Sequence, residues 1–503
     1  MIGTMEDDGV PVILPQASSD DVSTLTLVKR FVLVGTPLMV TTLAQFTLNA
    51  VMMAIIGKHF GVKELGGVSL ALGMLNATAF AFSAGLCGAL ETVLSQTYGV
   101  FQSRGGEGTM YLYGTYTQRM AVMLLVISIP IGIAVIYIDV LLKSLGERPE
   151  VVYYTGRFCC IAALGIPALQ FSQLISRYLS CQHQTAPLSA VAVGSAILNP
   201  ILQHLFIRMF GFNGSPMAWV LLYVVTDVLL VAYTYYTKTY VTTWGGWDSN
   251  AVKNLRPLVN LAAPSLAMSL VEWVVLEVIM ACAGFAPPTD LAAFSITVQV
   301  FSACWGVASG TMLIVSVFIG NAIGEGKPLL AKRIANIAIV MVGVTTMLDI
   351  LLCWKFEDRI PLLFSDDKEV GHVYRKLMRF VFPYHAVDTF QSTVMGILRG
   401  CGLQKIGAVI IGVTLCVVGA PLAFFLFFYV GVGVEALWIG PLCSVTFVGV
   451  PLYIYLLYWY IDWSKLQPQQ ESLDLAVEPF ISVNNAPLEE DMYGAVESLG
   501  SKD

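Results

Sequence analysis

The chain has 503 residues, 56% of them hydrophobic and only 12% charged, with a formal net charge of −7. Soluble domains carry about 25% charge, so a soluble enzyme is excluded and the composition is that of a polytopic membrane protein. The acidic balance comes mainly from the two tails and offers no basic face for nucleic acid.

Residues 1–27 are polar and acidic, with Glu6, Asp7, Asp8, Asp20 and Asp21 and no basic stretch leading into an apolar one. They are expected to be a disordered tail rather than a cleaved signal peptide. From there, apolar windows separated by Gly, Pro and charged punctuation predict twelve spans, near 28–56, 65–95, 119–141, 152–178, 186–209, 216–237, 255–284, 290–320, 331–354, 374–398, 405–430 and 434–461. They fall into a first lobe, 28–237, and a second, 255–461, joined by a linker over 238–254. An even number of crossings puts both termini on one side. The loops near 286 and 432 have no Lys or Arg, which places that side in the cytoplasm. Residues 462–503, acidic and broken by Pro468, Pro479 and Pro487, are expected to be a second disordered tail, in which Tyr493 to Val496 has the form of a tyrosine-based sorting signal. The ten cysteines are scattered, mostly in apolar runs with no CxxC or ligand spacing, so no disulfide framework and no metal centre are expected.

The chain also repeats. Aligned on itself so that Pro37 meets Pro264, it brings Gln45 onto Glu272 and Gly57 onto Gly284. After small gaps, Ser69 meets Ser295 and Gln96-Thr-Tyr-Gly99 meets Asn321-Ala-Ile-Gly324. Six spans per half give both halves the same orientation. The predicted fold class is therefore an all-α membrane protein of twelve helices in two six-helix lobes, related by a pseudo-two-fold axis along the membrane normal. This arrangement suits a transporter with its substrate between the lobes. The repeat is chemically lopsided: the first span offers the amides Gln45 and Asn49 where the seventh offers carboxylates.

Those carboxylates, Glu272 and Glu277, sit in the apolar run 255–284. An ionised acid at mid-membrane costs about 2.5–3.5 kcal/mol on insertion scales, and intramembrane acids mark ion or substrate routes by default. On a helix the two lie ~7.5 Å apart along the axis and ~140° apart in direction, while Trp273 falls one turn from Glu277, where an indole face and a carboxylate can meet one organic cation. Pro264 is expected to kink this helix. In the tenth span Asp388 lies one turn after His385, a pairing that can be set to load and unload protons, and Pro383 is a possible hinge. Asp227 is the comparable acid of the first half, and Gln299 of the eighth span is expected to hydrogen-bond within the bundle or to touch ligand. Glu91 and Arg399 are expected near cytoplasmic helix ends, where snorkelling or capping satisfies a charge, with a gate between the lobes as the rival reading.

From about Leu27 to Trp463 the chain resembles the eukaryotic multidrug and toxic compound extrusion (MATE) transporters. The resemblance is carried by ALETVLSQTYG (89–99), TWGGW (243–247), LVEWVVLE (270–277) and LRGCGLQKIGA (398–408), in the family's order. It implies export of organic cations, other xenobiotics or metabolites in exchange for protons, with sodium open, and assigns the essential positions to Glu272, Glu277, His385 and Asp388. The chain departs from the family pattern at Val274, Gln299 and the neutral Gln45 and Asn49, which concentrates coupling in the second lobe. A proton-driven antiporter follows, working as a monomer in the plasma membrane or an acidic-compartment membrane such as the vacuole's. Its partners are a small-molecule substrate, protons and the lipid bilayer, with no cofactor. The alternatives are a lipid flippase of the same superfamily and an exporter of organic anions such as carboxylates or flavonoid-like compounds. An enzyme is disfavoured because no HExxH, Ser/His or paired-Asp motif appears.

Overall fold

The computed structural model describes residues 23–468 apart from Glu107, Leu145, Asn254, Ser365 and Asp366. Most of both acidic tails, with the Tyr493 to Val496 segment, lies outside the described residues. Twelve long helical segments run through the rest: α1 Thr24–His59, α2 Lys63–Ser103, α3 Leu112–Ile136, α4 Pro149–Ser180, α5 Ala186–Phe210, α6 Gly214–Tyr236, α7 Arg256–Ala283, α8 Pro288–Gly324, α9 Pro328–Lys355, α10 Lys368–Gly400, α11 Gln404–Val430 and α12 Glu435–Tyr460. Their starts follow local chemistry. Ser23 caps α1 by accepting from the Thr26 amide at 3.1 Å, and prolines sit in the first turn of α4, α5, α7, α8 and α9, where no intrahelical donor is lost.

Hydropathy alone finds ten membrane-length apolar runs. The run Ala186–Tyr236 holds two helices, because Gly211 turns the chain at a φ of +60° between them. The other missing helix is α10, whose outer turns carry Lys368, Glu369, Arg375, Lys376 and Arg379.

The third span is displaced from its expected 119–141: α3 is Leu112–Ile136, and a short helix, Ile138–Ser144, follows. Its first turns are polar and were passed over for that reason, yet they are buried against the linker. The Tyr113 hydroxyl donates to the Tyr178 carbonyl at 2.7 Å, the Gly114 amide to the Thr243 carbonyl at 2.8 Å, and the Gln118 amide to the Gly246 carbonyl at 2.7 Å. Satisfied polar groups cost little to bury, so the TWGGW stretch docks as part of the first lobe's end.

The two lobes meet mainly through three helix pairs, α1 on α8, α2 on α7, and α2 on α8, with the end of α10 also touching α2. The pseudo-two-fold exchanges the first two and passes through the third, and glycines record it. A Cβ on Gly85 would lie 2.7 Å from the Leu266 Cα, and one on Gly310 2.6 Å from the Met39 Cα; both the glycines and their partners are equivalent positions of the repeat. Gly99 likewise abuts the Asn321 carbonyl while Gly324 abuts the Gln96 carbonyl. Such small-residue contacts are how helices approach closely in lipid, where no hydrophobic force drives them together. Further along α8, Gly306 still packs on Leu43 and Phe46 of α1. Two turns away on the same face, Gln299 is exposed, so the lobes have parted there.

Candidate substrate and ion-coupling site

Helix α7 runs unbroken through Pro264, which has no amide hydrogen to offer the carbonyl four residues earlier. It presents both its acids near the lobe interface. Glu272 is half-buried, and the Trp305 indole of α8 donates to its Oε1 at 3.1 Å. Glu277 sits five residues on, with its carboxylate against Gly73 of α2: a Cβ there would lie 3.0 Å from Oε2. Trp273 lies four residues before Glu277 on α7. Its ring meets Trp305 and Phe80, each at 5.5 Å between centroids and each edge-on, and Trp305 in turn meets Phe46 at 5.8 Å. Four rings from α1, α2, α7 and α8 thus bridge the lobes beside Glu272. Phe80 closes the π-helical turn Asn76–Phe80 that distorts α2, a feature that recurs at functional sites.

Asp388 lies behind Glu272 within the second lobe, 2% exposed, close enough to feel the Glu272 charge and to interact with Tyr384. Its Oδ2 has no hydrogen-bond partner, nor have both polar atoms of Gln391, one turn on, or the hydroxyls of Thr414 and Tyr453. Native interiors satisfy nearly all such groups, and each exception calls for an explanation. His385 is buried, and its Nε2 lies 3.7 Å from Asp349 Oδ2 of α9. That contact between helices adds a third titratable group to the pair read from one-turn spacing on α10.

Glu91 and Arg399 correct the snorkelling expectation. They are 0% and 4% exposed, so neither charge is carried to the surface of the protein. Arg177 of α4 donates to Glu91 Oε1 at 3.2 Å, and the Arg399 guanidinium stands 3.9 Å from the same oxygen while donating to Ser269 Oγ at 3.1 Å. Arg399 also feels the charge of Glu272. The guanidinium therefore stands between the acid of α2 and the acid of α7, on the boundary between lobes.

In the first lobe, Asp227 is buried and accepts from the Ser172 hydroxyl. Beside it is a cavity lined by Thr41, Gln45, Ser172, Ser176, Ser195 and Thr226. Asn49 is half-buried one turn beyond Gln45. Leu48, Leu188, Leu222 and Leu230 also line the cavity, which is largely apolar with a row of polar groups. Trp305, Arg177 and Asp349 were not singled out by sequence. Nothing in the spacing announces Trp305 or Arg177, but Asp349, an acid within the apolar TMLDILLCW, meets the criterion that picked out Glu272.

The family model described as MatE matches residues 37–205 and 264–425. The two matches begin on Pro37 and Pro264, the pair that the self-alignment superposes. The chain is 28% identical over 437 residues to Multidrug and toxin extrusion protein 2 of Mus musculus, covering 86% of this chain and 74% of that protein. It is 26% identical over 453 residues to Multidrug and toxin extrusion protein 1 of Homo sapiens, covering 90% and 77%. The crystal structure of the eukaryotic MATE transporter AtDTX14 superposes with a TM-score of 0.83 at 20% identity, over 90% of this chain and 99% of that one, and so shares its all-helical fold. Family matches in both lobes and this common architecture agree: the chain belongs to the MatE family of membrane extrusion transporters, which are not enzymes.

Proposed function

We propose that this transporter is a secondary antiporter, expelling organic cations or related xenobiotics and metabolites in exchange for protons, with both termini cytoplasmic and the two lobes rocking about the α2–α8 contact. The observation that carries the reading is the carboxylate of Glu272, held by an indole and set beside four aromatic rings at the lobe boundary, with a second buried acid, Asp388, in the same lobe. Aromatic faces and a carboxylate together recognise an organic cation. Protonation removes the charge that holds it, so the two ligands compete for one site and exchange follows.

Arg399 extends the competition to the boundary. With Glu272 ionised, its guanidinium is shared between Glu272 and Glu91; with Glu272 protonated, Glu91 is its remaining acid. A change of charge in the second lobe thereby alters a contact with the first. The test is transport in sealed proteoliposomes with an imposed pH gradient, screening cations and anions with and without sodium. Glu272→Gln is expected to abolish pH-driven efflux while the protein still reaches the membrane. Undiminished efflux in that variant rejects the assignment.

A further inference from the structure

We propose that Cys304 of α8 and Cys353 of α9 are a reversible oxidation site, whose disulfide restrains the half of the machine that carries the acids. Their sulfurs lie 3.7 Å apart, in van der Waals contact and within a small side-chain rotation of bonding distance. Both are partly exposed, whereas Cys87, Cys159, Cys181 and Cys401 are buried. They line one cavity between α8, α9 and α10, together with Val300, Phe301, Asp349 and His385. The cavity also holds polar groups, the His385 ring and the Asp349 carboxylate, beside the two thiols, and the thiolate is the reacting form of each cysteine.

The chemistry balances with hydrogen peroxide as oxidant. One thiolate attacks a peroxide oxygen, the O–O bond breaks, hydroxide leaves and a sulfenic acid forms. The second thiolate attacks the sulfenic sulfur, the S–O bond breaks and the disulfide forms. Two thiols and one peroxide give one disulfide and two waters; sulfur is oxidised and peroxide oxygen is reduced. A thiol reductant reverses the step by exchange.

The bridge acts on the coupling residues through their neighbours. Cys304 precedes Trp305, the donor to Glu272, and Cys353 lies one turn after Asp349, the acid facing His385. A covalent tie between these two turns fixes α9 against α8 at that level, where the non-bonded sulfur contact does not. Formation of the disulfide stands apart from the antiport reading, and its effect on exchange rests on that reading.

The experiment uses full-length protein in proteoliposomes, treated with hydrogen peroxide and then with reductant. Mass spectrometry is expected to find a peptide pair joined through Cys304 and Cys353 that reduction separates, and pH-driven efflux is expected to fall roughly fivefold or more and to recover on reduction. Cys304→Ser and Cys353→Ser should each transport normally and be insensitive to peroxide. Absence of the joined peptides overturns the site. Joined peptides with unchanged efflux overturn its control of transport. Should the reduced protein show no pH-driven efflux, the antiport reading fails while the peptide result still decides the site.

Discussion

Trp305 is the residue on which the geometry around Glu272 turns, because its indole both donates to the carboxylate and closes the row of rings from Phe46 to Phe80. Losing a hydrogen bond to a charged group costs about 1.5–3 kcal/mol. Trp305→Phe, which keeps a ring and removes the donor, is expected to lower pH-driven exchange roughly tenfold; transport assays at several external pH values check it, and an unchanged rate removes Trp305 from the site. The acids of this site were legible in the sequence, since a carboxylate in an apolar run is costly enough to stand out. Their partners were not. The contacts from Trp305 to Glu272 and from His385 to Asp349 cross between helices, and periodicity knows only a residue's own helix. Arg399 does lie in the last turn of α10, but its burial with Glu91 was not legible, because a helix end is visible in sequence and the packing of another helix over it is not.

Among elements, α2 and α8 have the least freedom to change. Gly85 and Gly310 each leave no room for a side chain against the backbone of the opposite lobe. A valine at either place meets backbone rather than a mobile side chain, and overpacking of this kind costs about 1–3 kcal/mol. Gly85→Val and Gly310→Val are therefore expected to lower the thermal unfolding temperature of the purified protein by similar amounts, since the axis makes the sites equivalent. A large difference between them contradicts the reciprocal packing. The number of helices was read correctly from sequence, because length and hydropathy constrain it, although α10 is too charged to pass a hydropathy threshold and Gly211 is needed to divide α5 from α6. The start of α3 was not, because the polar side chains of Tyr113 and Gln118 are satisfied by carbonyls of α4 and of the linker, both distant in sequence.

At the scale of the molecule, the segment joining α4 to α5 reaches across to the other lobe. His183 adopts a φ of +60°, unusual for a residue with a side chain. It contacts Asn321 Nδ2 at 2.7 Å and lies between the rings of Tyr98 and Phe318. Burial, with the Arg30 charge nearby, pushes its pKa down from 6.5 to about 4. Above about pH 6.5 the ring is neutral in both the folded and the unfolded chain, and its contribution to stability is constant. As pH falls from there towards 4, the unfolded chain takes up a proton that the folded one refuses, so stability declines. Unfolding temperatures measured at pH 8 and pH 5 should fall further for the parent protein than for His183→Gln, and equal losses reject this source of acid sensitivity.

The mutual seating of Gly99 and Gly324, each on the other lobe's backbone, means that adhesion between the lobes does not reside in the peptide that strings them together. A gene cut within 247–253 and expressed as two cistrons should give fragments that find one another in the bilayer and co-purify through a tag on either piece. Recovery of the tagged piece alone would mean that covalent continuity, rather than surface fit, keeps this transporter whole.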